Sequence, residues 1–165
     1  MPTQYTQANR FHRFIRTVAT KRPIIWLFSR LLPPLDRGVF RWTNGRRTLT
    51  SLLAGLPMIH LTTIGAKSGQ PRVTPLAGIP DGDEIVLIAS NWGQKKYPGW
   101  YYNLLANPEV VVGQDGRSTN YIAQEVTGAR RDACWQLATQ YYLGFNTYAQ
   151  RASHRHIPVI VLTPK

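Results

Sequence analysis

Three stretches of the chain collect residue types able to grip an anion or to stack on a flat ring. The first is TTIGAKSGQPRVTPL, Thr62 to Leu76, in which Lys67 and Arg72 flank Ser68 and Gly69. Lysine supplies a point charge and arginine a planar fork of donors, a pairing suited to phosphate or carboxylate. A nucleotide-hydrolase phosphate loop needs glycine directly before the lysine, another five residues upstream of that, and a helix starting at the Ser or Thr. Those two positions are Ala66 and Leu61 here, and Pro71 and Pro75 forbid a long helix after Ser68. The stretch therefore reads as a turn between strands, with Gly65 and Gly69 allowing positive φ and close approach by a ligand. A solvated turn that is simply basic is the bland alternative.

The second stretch is ASNWGQKKYPGWYYN, Ala89 to Asn103. Ser90 and Asn91 leave a strand, Lys95 and Lys96 follow, and a helix begins at Pro98, close to Gly99, Trp100 and Asn103. The unpaired amides of a helix N-terminus favour a nearby anion. Trp92, Trp100, Tyr101 and Tyr102 offer ring faces to a planar ligand with an anionic tail, with at least one of them reserved for the core. The third group, Tyr141, Tyr142, Phe145 and Tyr148, can cover such a ligand from the other side. No acid–base triad accompanies these clusters. His12, His60, His154 and His156 are scattered, and the last two lie in a basic tail that reads as solvated. The single cysteine, Cys134, falls in a helix, excludes an internal disulfide and offers no metal-ligand set, so no metal is expected.

The elements that must position these groups are mostly strands. MIHLTTI (Met58 to Ile64) is one; RVTPLAGI and EIVLIAS read as a hairpin across PDGD; EVVVG and STNYIAQEV read as another across QDGR. PGWYYNLLAN is a short helix between the hairpins, opened by Pro98 and stopped by Asn107-Pro108. A further helix spans about Arg130 to Tyr142, and IPVIVLT closes the chain as a buried strand. NGRRTLTSLLAGLP is read as another short helix. Without parallel crossovers, this order favours a small antiparallel barrel with flanking helices, mainly β in an α+β setting.

The chain has 165 residues, 43% of them hydrophobic, which suits one domain with one core. Its formal charge is +12, of which +9 falls in residues 1–50 and +3 in the remainder. Such a field attracts nucleic acid, anionic lipid or an anionic ligand. No helix-turn-helix, zinc or RNA-binding signature is present, so nucleic acid is not the expected partner. Nor does any segment reach the ~18 apolar residues of a membrane span. The apolar core of Ile24 to Phe28 is shorter than the ~7–15 residues of a secretory signal, so a cytoplasmic protein is expected. Gln4 to Thr20 has a basic amphipathic helical pattern that fits either packing on the domain or contact with an anionic membrane surface. The expected division is a basic N-terminal helical segment, 1–45, and a barrel domain, 46–165.

At GLPMIHLTTIGAKSGQPRVTPL, IASNWGQKKYPGWYYNLLANPEVVV and the closing IPVIVL, the chain resembles the deazaflavin-dependent nitroreductases and quinone reductases, which use reduced coenzyme F420. The resemblance implies a split antiparallel β-barrel with the coenzyme in a groove. It would place the phosphate-bearing tail on Lys67, Ser68, Gly69 and Arg72, and the ring edge along Ser90 and Asn91. Lys96, Gly99, Trp100 and Asn103 would complete the groove, and Tyr142 and Tyr148 would shape the substrate side, either as catalytic hydroxyls or in a core or lid role without proton transfer. The family often carries arginine where this chain has Ala66 and lysine where it has Asn91; Phe145 stands where some members have tyrosine. The implied reaction is hydride transfer from reduced F420 to a quinone-like, nitro or other conjugated small-molecule acceptor. An FMN-dependent reductase and a non-catalytic lipid or cofactor carrier on the same barrel stay open as alternatives, and oligomeric state is left open.

Overall fold

The structure is a computed structural model and describes residues 56–165 except Asp115. The expected N-terminal amphipathic helix and most of the NGRRTLTSLLAGLP helix lie outside those residues. Seven strands form one antiparallel sheet: β1 (Met58–Ile64), β2 (Pro71–Ala77), β3 (Ile79–Asp81), β4 (Glu84–Ile88), β5 (Glu109–Gln114), β6 (Arg117–Val126) and β7 (Val159–Pro164). Three helices accompany them: α1 (Gly99–Ala106), α2 (Gly128–Tyr141) and α3 (Gly144–Arg151).

The strand order is β2-β1-β5-β6-β7-β4-β3. Its two end strands are separated in the chain by Gly78 alone, so the sheet must curl until its ends approach each other, giving a half-barrel. Gly78 is buried there, its N–H donating to the Pro57 carbonyl at 2.9 Å. A Cβ at this position would meet Ile59 Cγ2 at 2.8 Å and Ile85 Cγ2 at 2.9 Å. Only glycine lets the backbone pass.

This closure changes one expected pairing. RVTPLAGI does not pair as a unit with EIVLIAS. Its first part pairs with β1 from Met58↔Ala77 to Ile64↔Pro71, and only Ile79–Asp81 pairs with β4. The turn holding Gly65 and Gly69 supplies a nearer hairpin partner, and Gly78 divides the run between two edges of the sheet. The β5–β6 hairpin pairs as expected, with Gln114 opposite Arg117 and Gly116 at φ 78° in the two-residue turn.

Strand alternation sorts the apolar side chains into two layers. Ile59, Leu61, Ile85, Leu87, Val110, Val112, Ile160 and Leu162 pack with Trp100, Tyr101 and Leu104, so α1 covers that face. The opposite face of the central strands, through Val86, Ile88, Val159 and Val161, packs on Cys134 and Ala138 of α2 and on Phe145, Tyr148 and Ala152 around α3. The continuous apolar runs of β4 and β7 follow from burial on both faces. Cys134 is buried as its packing role requires, and burial raises its thiol pKa. No helix among the described residues is long and apolar enough to cross a membrane.

A Gly78→Ala substitution should cost about 1–3 kcal/mol through overpacking, read as a lower urea midpoint at unchanged slope. Gly99→Ala, whose Cβ meets nothing within 4 Å, should stay within about 0.5 kcal/mol of wild type. Equal midpoints for the two variants would contradict the closure argument.

Candidate functional site

The turn between β1 and β2 is closed by its own backbone, Gly65 N–H to Gln70 O at 2.9 Å and Gly69 N–H to Gly65 O at 2.8 Å, with Gly69 at φ 65°. Ser68 Oγ sits inside it and accepts from the Gln70 N–H at 3.3 Å and from Arg72 Nη2 at 3.4 Å. The serine thus orients the arginine fork, and Lys67 in the same turn is exposed. Ion pairs among the described residues engage Arg130, Arg131, His156 and Lys165; none engages Lys67, Arg72, Lys95 or Lys96. Four cations at two turns thus have no ion-pair partner among the described residues.

Strand direction brings the second turn to the same edge of the sheet. β1 and β4 lie four places apart in an antiparallel order, so they run the same way and their C-terminal ends leave from one side. α1 joins the two turns. It starts just after the second one, buries Trp100, Tyr101 and Leu104, and directs Asn103 toward the first. Asn103 Oδ1 accepts the Ala66 N–H at 3.0 Å, while its Nδ2 donates to Thr63 Oγ1 at 2.9 Å. Asn103 is the latch between α1 and the cationic hairpin. Trp100 is only 8% exposed, so its indole anchors α1 in the barrel instead of offering a stacking face at the surface.

Ser90 is buried at the end of β4, and the backbone beyond it turns through three successive positive φ values: Asn91 at 46°, Trp92 at 59° and Gly93 at 76°. Two of these residues are not glycine, and side chains disfavour this region. Several contacts hold the turn. Asn91 Nδ2 donates to the Lys96 carbonyl at 2.9 Å, fixing the lysine pair relative to Ser90. Trp92 packs edge-on to Tyr148 with ring centroids 5.9 Å apart. Arg155 reaches the turn from the segment before β7, which pairs alongside β4.

Tyr97, between Lys96 and α1, belongs to a polar chain that the sequence did not reveal. Its hydroxyl lies 3.2 Å from His156 Nδ1; His156 Nε2 is 3.4 Å from Glu125 Oε1; Tyr101 donates to Glu125 Oε2 at 2.7 Å. His156 is thus engaged on both ring nitrogens, not merely solvated. Burial, then the Glu125 contact, raises the Tyr101 phenol above its ordinary range.

Tyr142 and Tyr148 lie in the core, 7% and 3% exposed, with their hydroxyls 2.9 Å apart and Phe145 packed against both rings. Burial first, then the neighbouring Tyr142, raises the Tyr148 phenol far above its ordinary value. Two surface concavities open elsewhere. One of about 480 Å³ is lined by Val112, Gln114, Arg117, Thr119 and Tyr121, and one of about 280 Å³ lies over β1, β5 and β6. Neither is lined by more than one cation, Arg117 in the first and Lys165 in the second.

The family model described as F420H(2)-dependent quinone reductase matches residues 36–164. The chain belongs to that family. It is 36% identical over 132 residues to the F420H(2)-dependent quinone reductase Rv1261c of Mycobacterium tuberculosis, covering 78% of this chain and 87% of the relative. A solved F420-H2-dependent reductase, FDR-A, superposes with a TM-score of 0.60 at 34% identity, over 64% of this chain and 93% of that one. A second solved structure, a domain-swapped dimer, gives a TM-score of 0.62 at 31% identity, over 86% and 99%. The fold is accordingly the split barrel of these reductases, and the chain is an oxidoreductase that uses coenzyme F420.

The residues present in the reductase fit that coenzyme. Lys67, Arg72, Lys95 and Lys96 have no carboxylate partner among the described residues, and the open space at Gly99 leaves the start of α1 approachable. Sequence reasoning missed Arg155, Tyr97 and Glu125, and also α3. The spacing of Phe145, Tyr148, Ala149 and Ala152 carries the helical signal for α3, but Gly144 and Asn146 mask it.

Asn103→Ala should lose both latch bonds and expose the Ala66 amide, measured as faster hydrogen exchange confined to the first turn. Tyr148→Phe should cost about 1 kcal/mol at neutral pH by removing the buried 2.9 Å hydrogen bond between the Tyr142 and Tyr148 hydroxyls. A phenol whose folded pKa is raised contributes its stability fully below its unfolded value, near 10, and loses it as pH rises beyond. The Tyr148→Phe variant should therefore lose stability less steeply than wild type above about pH 10 in urea melts. An identical alkaline limb would count against it.

Proposed function

We propose that the reductase grips the acidic, phosphate-bearing tail of F420 between its two cationic turns and passes hydride to a quinone-like acceptor. The observation that carries this reading is the set of four cations at two turns on one sheet edge, unpaired with any carboxylate among the described residues, with α1 latched to the first turn through Asn103. Lys67 and Arg72 bind the tail, with Ser68 steering the guanidinium and Gly69 keeping the approach clear. Lys96 and Lys95 add charge from the far side, in place of the cations that Ala66 and Asn91 do not supply. The backbone from Ser90 to Asn91 lines the ring edge, and Asn103 and Trp100 hold α1 so that Gly99 and the first amides of the helix face the groove.

Bound reduced F420 supplies the hydride. The protein's part is orientation, exclusion of water and local charge. Reduction of a quinone carbonyl to the hydroquinone also takes up a proton, which in this reading comes from water. Tyr148 stays protonated throughout, because burial raises its phenol pKa far above the ordinary value. The role of Tyr142 and Tyr148 is to set the floor of the substrate side and, through Trp92, the shape of the Ser90 turn.

The test is a fluorescence titration of wild type and a Lys67→Ala, Arg72→Ala double variant with F420 and, separately, with FMN. Wild type should bind F420 and not FMN. The double variant should lose more than the ~1.5–3 kcal/mol of one charged hydrogen bond in F420 affinity. Undiminished affinity would mean that the tail binds elsewhere.

A further inference from the structure

We propose that Arg155 is the positioning residue of the cofactor turn, a clamp that holds Ser90–Lys96 in its binding conformation from behind. Its guanidinium spends donors on three backbone carbonyls: Nη2 to Ser90 O at 2.8 Å, Nε to Gln94 O at 3.0 Å, and Nη1 to His156 O at 3.1 Å. The guanidinium carbon lies 4.6 Å from the centroid of the Tyr97 ring, so the same side chain ties both ends of the turn and the residue after it.

Between the two tied carbonyls lie the three residues with positive φ. That backbone is locally disfavoured and persists only where long-range contacts determine it. Gly93 has no room to adjust, since a Cβ there would meet Arg151 Cβ at 2.8 Å and the Tyr148 carbonyl at 3.0 Å. Asn91 then transmits the conformation to Lys96 through its 2.9 Å bond to the lysine carbonyl. Arg155 pairs with no carboxylate among the described residues. It also leaves a positive charge beneath a turn proposed to meet an anion. A lysine has one ammonium and cannot span carbonyls four residues apart while stacking on a ring.

The effect on cofactor binding rests on the proposed role of the turn; the effect on the turn itself does not. Three measurements separate them, on Arg155→Ala and Arg155→Lys in the full chain. Limited trypsin digestion without cofactor should cut after Lys95 and Lys96 faster in both variants than in wild type. F420 titration should show affinity lowered at least about tenfold in both, the scale of one charge-assisted hydrogen bond. Millimolar methylguanidinium should restore much of the affinity of Arg155→Ala, whereas sodium chloride of equal ionic strength should not. In steady state, KM for reduced F420 should rise while kcat at saturation stays within about twofold.

Wild-type cleavage at Lys95–Lys96 in both variants overturns the clamp. So does an affinity loss that only follows a general fall in Tm, or full retention of affinity by Arg155→Lys. If the Lys67→Ala, Arg72→Ala variant binds F420 normally, the anion-site reading fails, and the cofactor-free digestion still decides the clamp.

Discussion

Two strands that stand at opposite ends of a seven-strand order, β2 and β3, are one residue apart in the chain, and the sheet has to bend through a half-barrel to allow it. That closure creates an interior which strand side chains alone do not fill. α1 supplies the missing volume with Trp100, Tyr101 and Leu104. Once those three face inward, helical geometry sends Asn103 to the flank, where Thr63 and the Ala66 amide receive it. The placement of the cationic hairpin is thus a consequence of how the barrel is plugged. Packing comes first, and the site follows from it.

The distribution of charge obeys the same economy. Arg130 is paired twice, with Asp81 at 2.9 Å and Glu84 at 2.6 Å, beside the β3–β4 hairpin. The cations at the two candidate turns have no such partners among the described residues, although the chain could have placed acids there. Exposed ion pairs contribute little to stability, so leaving lysine and arginine unpaired costs the fold almost nothing. It does keep their charge available to an incoming carboxylate or phosphate. The departures at Ala66 and Asn91 fit this pattern. Asn91 gives up a charge but fixes Lys96, and the lysine pair carries the charge instead.

How much of this was legible depended on whether the signal was local. The β5–β6 hairpin, the helix Gly99–Ala106 and the alternation of Met58–Ile64 are written in neighbouring residues, and they form where expected. Lys67, Ser68, Gly69 and Arg72 could be grouped because one turn holds them all. Gly78 could not be read as a strand boundary, since the reason for it is a close approach to Ile59 and Ile85 on other strands. Arg155 left no trace in the pattern. Its partners in the turn, the Ser90 and Gln94 carbonyls, are 65 and 61 residues away, and a carbonyl has no side-chain identity to recognise. The fate of each aromatic was equally hidden: Trp100 and Tyr102 are two positions apart in one helix, yet one is 8% exposed and the other 47%.

The same logic explains why an oxidoreductase of this family can work without an acid–base triad. The coenzyme brings the reactive carbon, so the protein needs no nucleophile and no tuned base near neutral pH. What it needs is a groove that orients the coenzyme. In the proposed reading the tyrosines serve as packed core residues behind the turn. A phenol raised far above its usual pKa by burial releases no proton at neutral pH, yet its hydroxyl holds a hydrogen bond and its ring packs against Trp92. The left-handed turn from Asn91 to Gly93 is then braced on one side by Tyr148 and on the other by Arg155. Rigidity of this kind has to be paid in backbone strain before the ligand arrives, which is why the residues that impose it sit outside the groove.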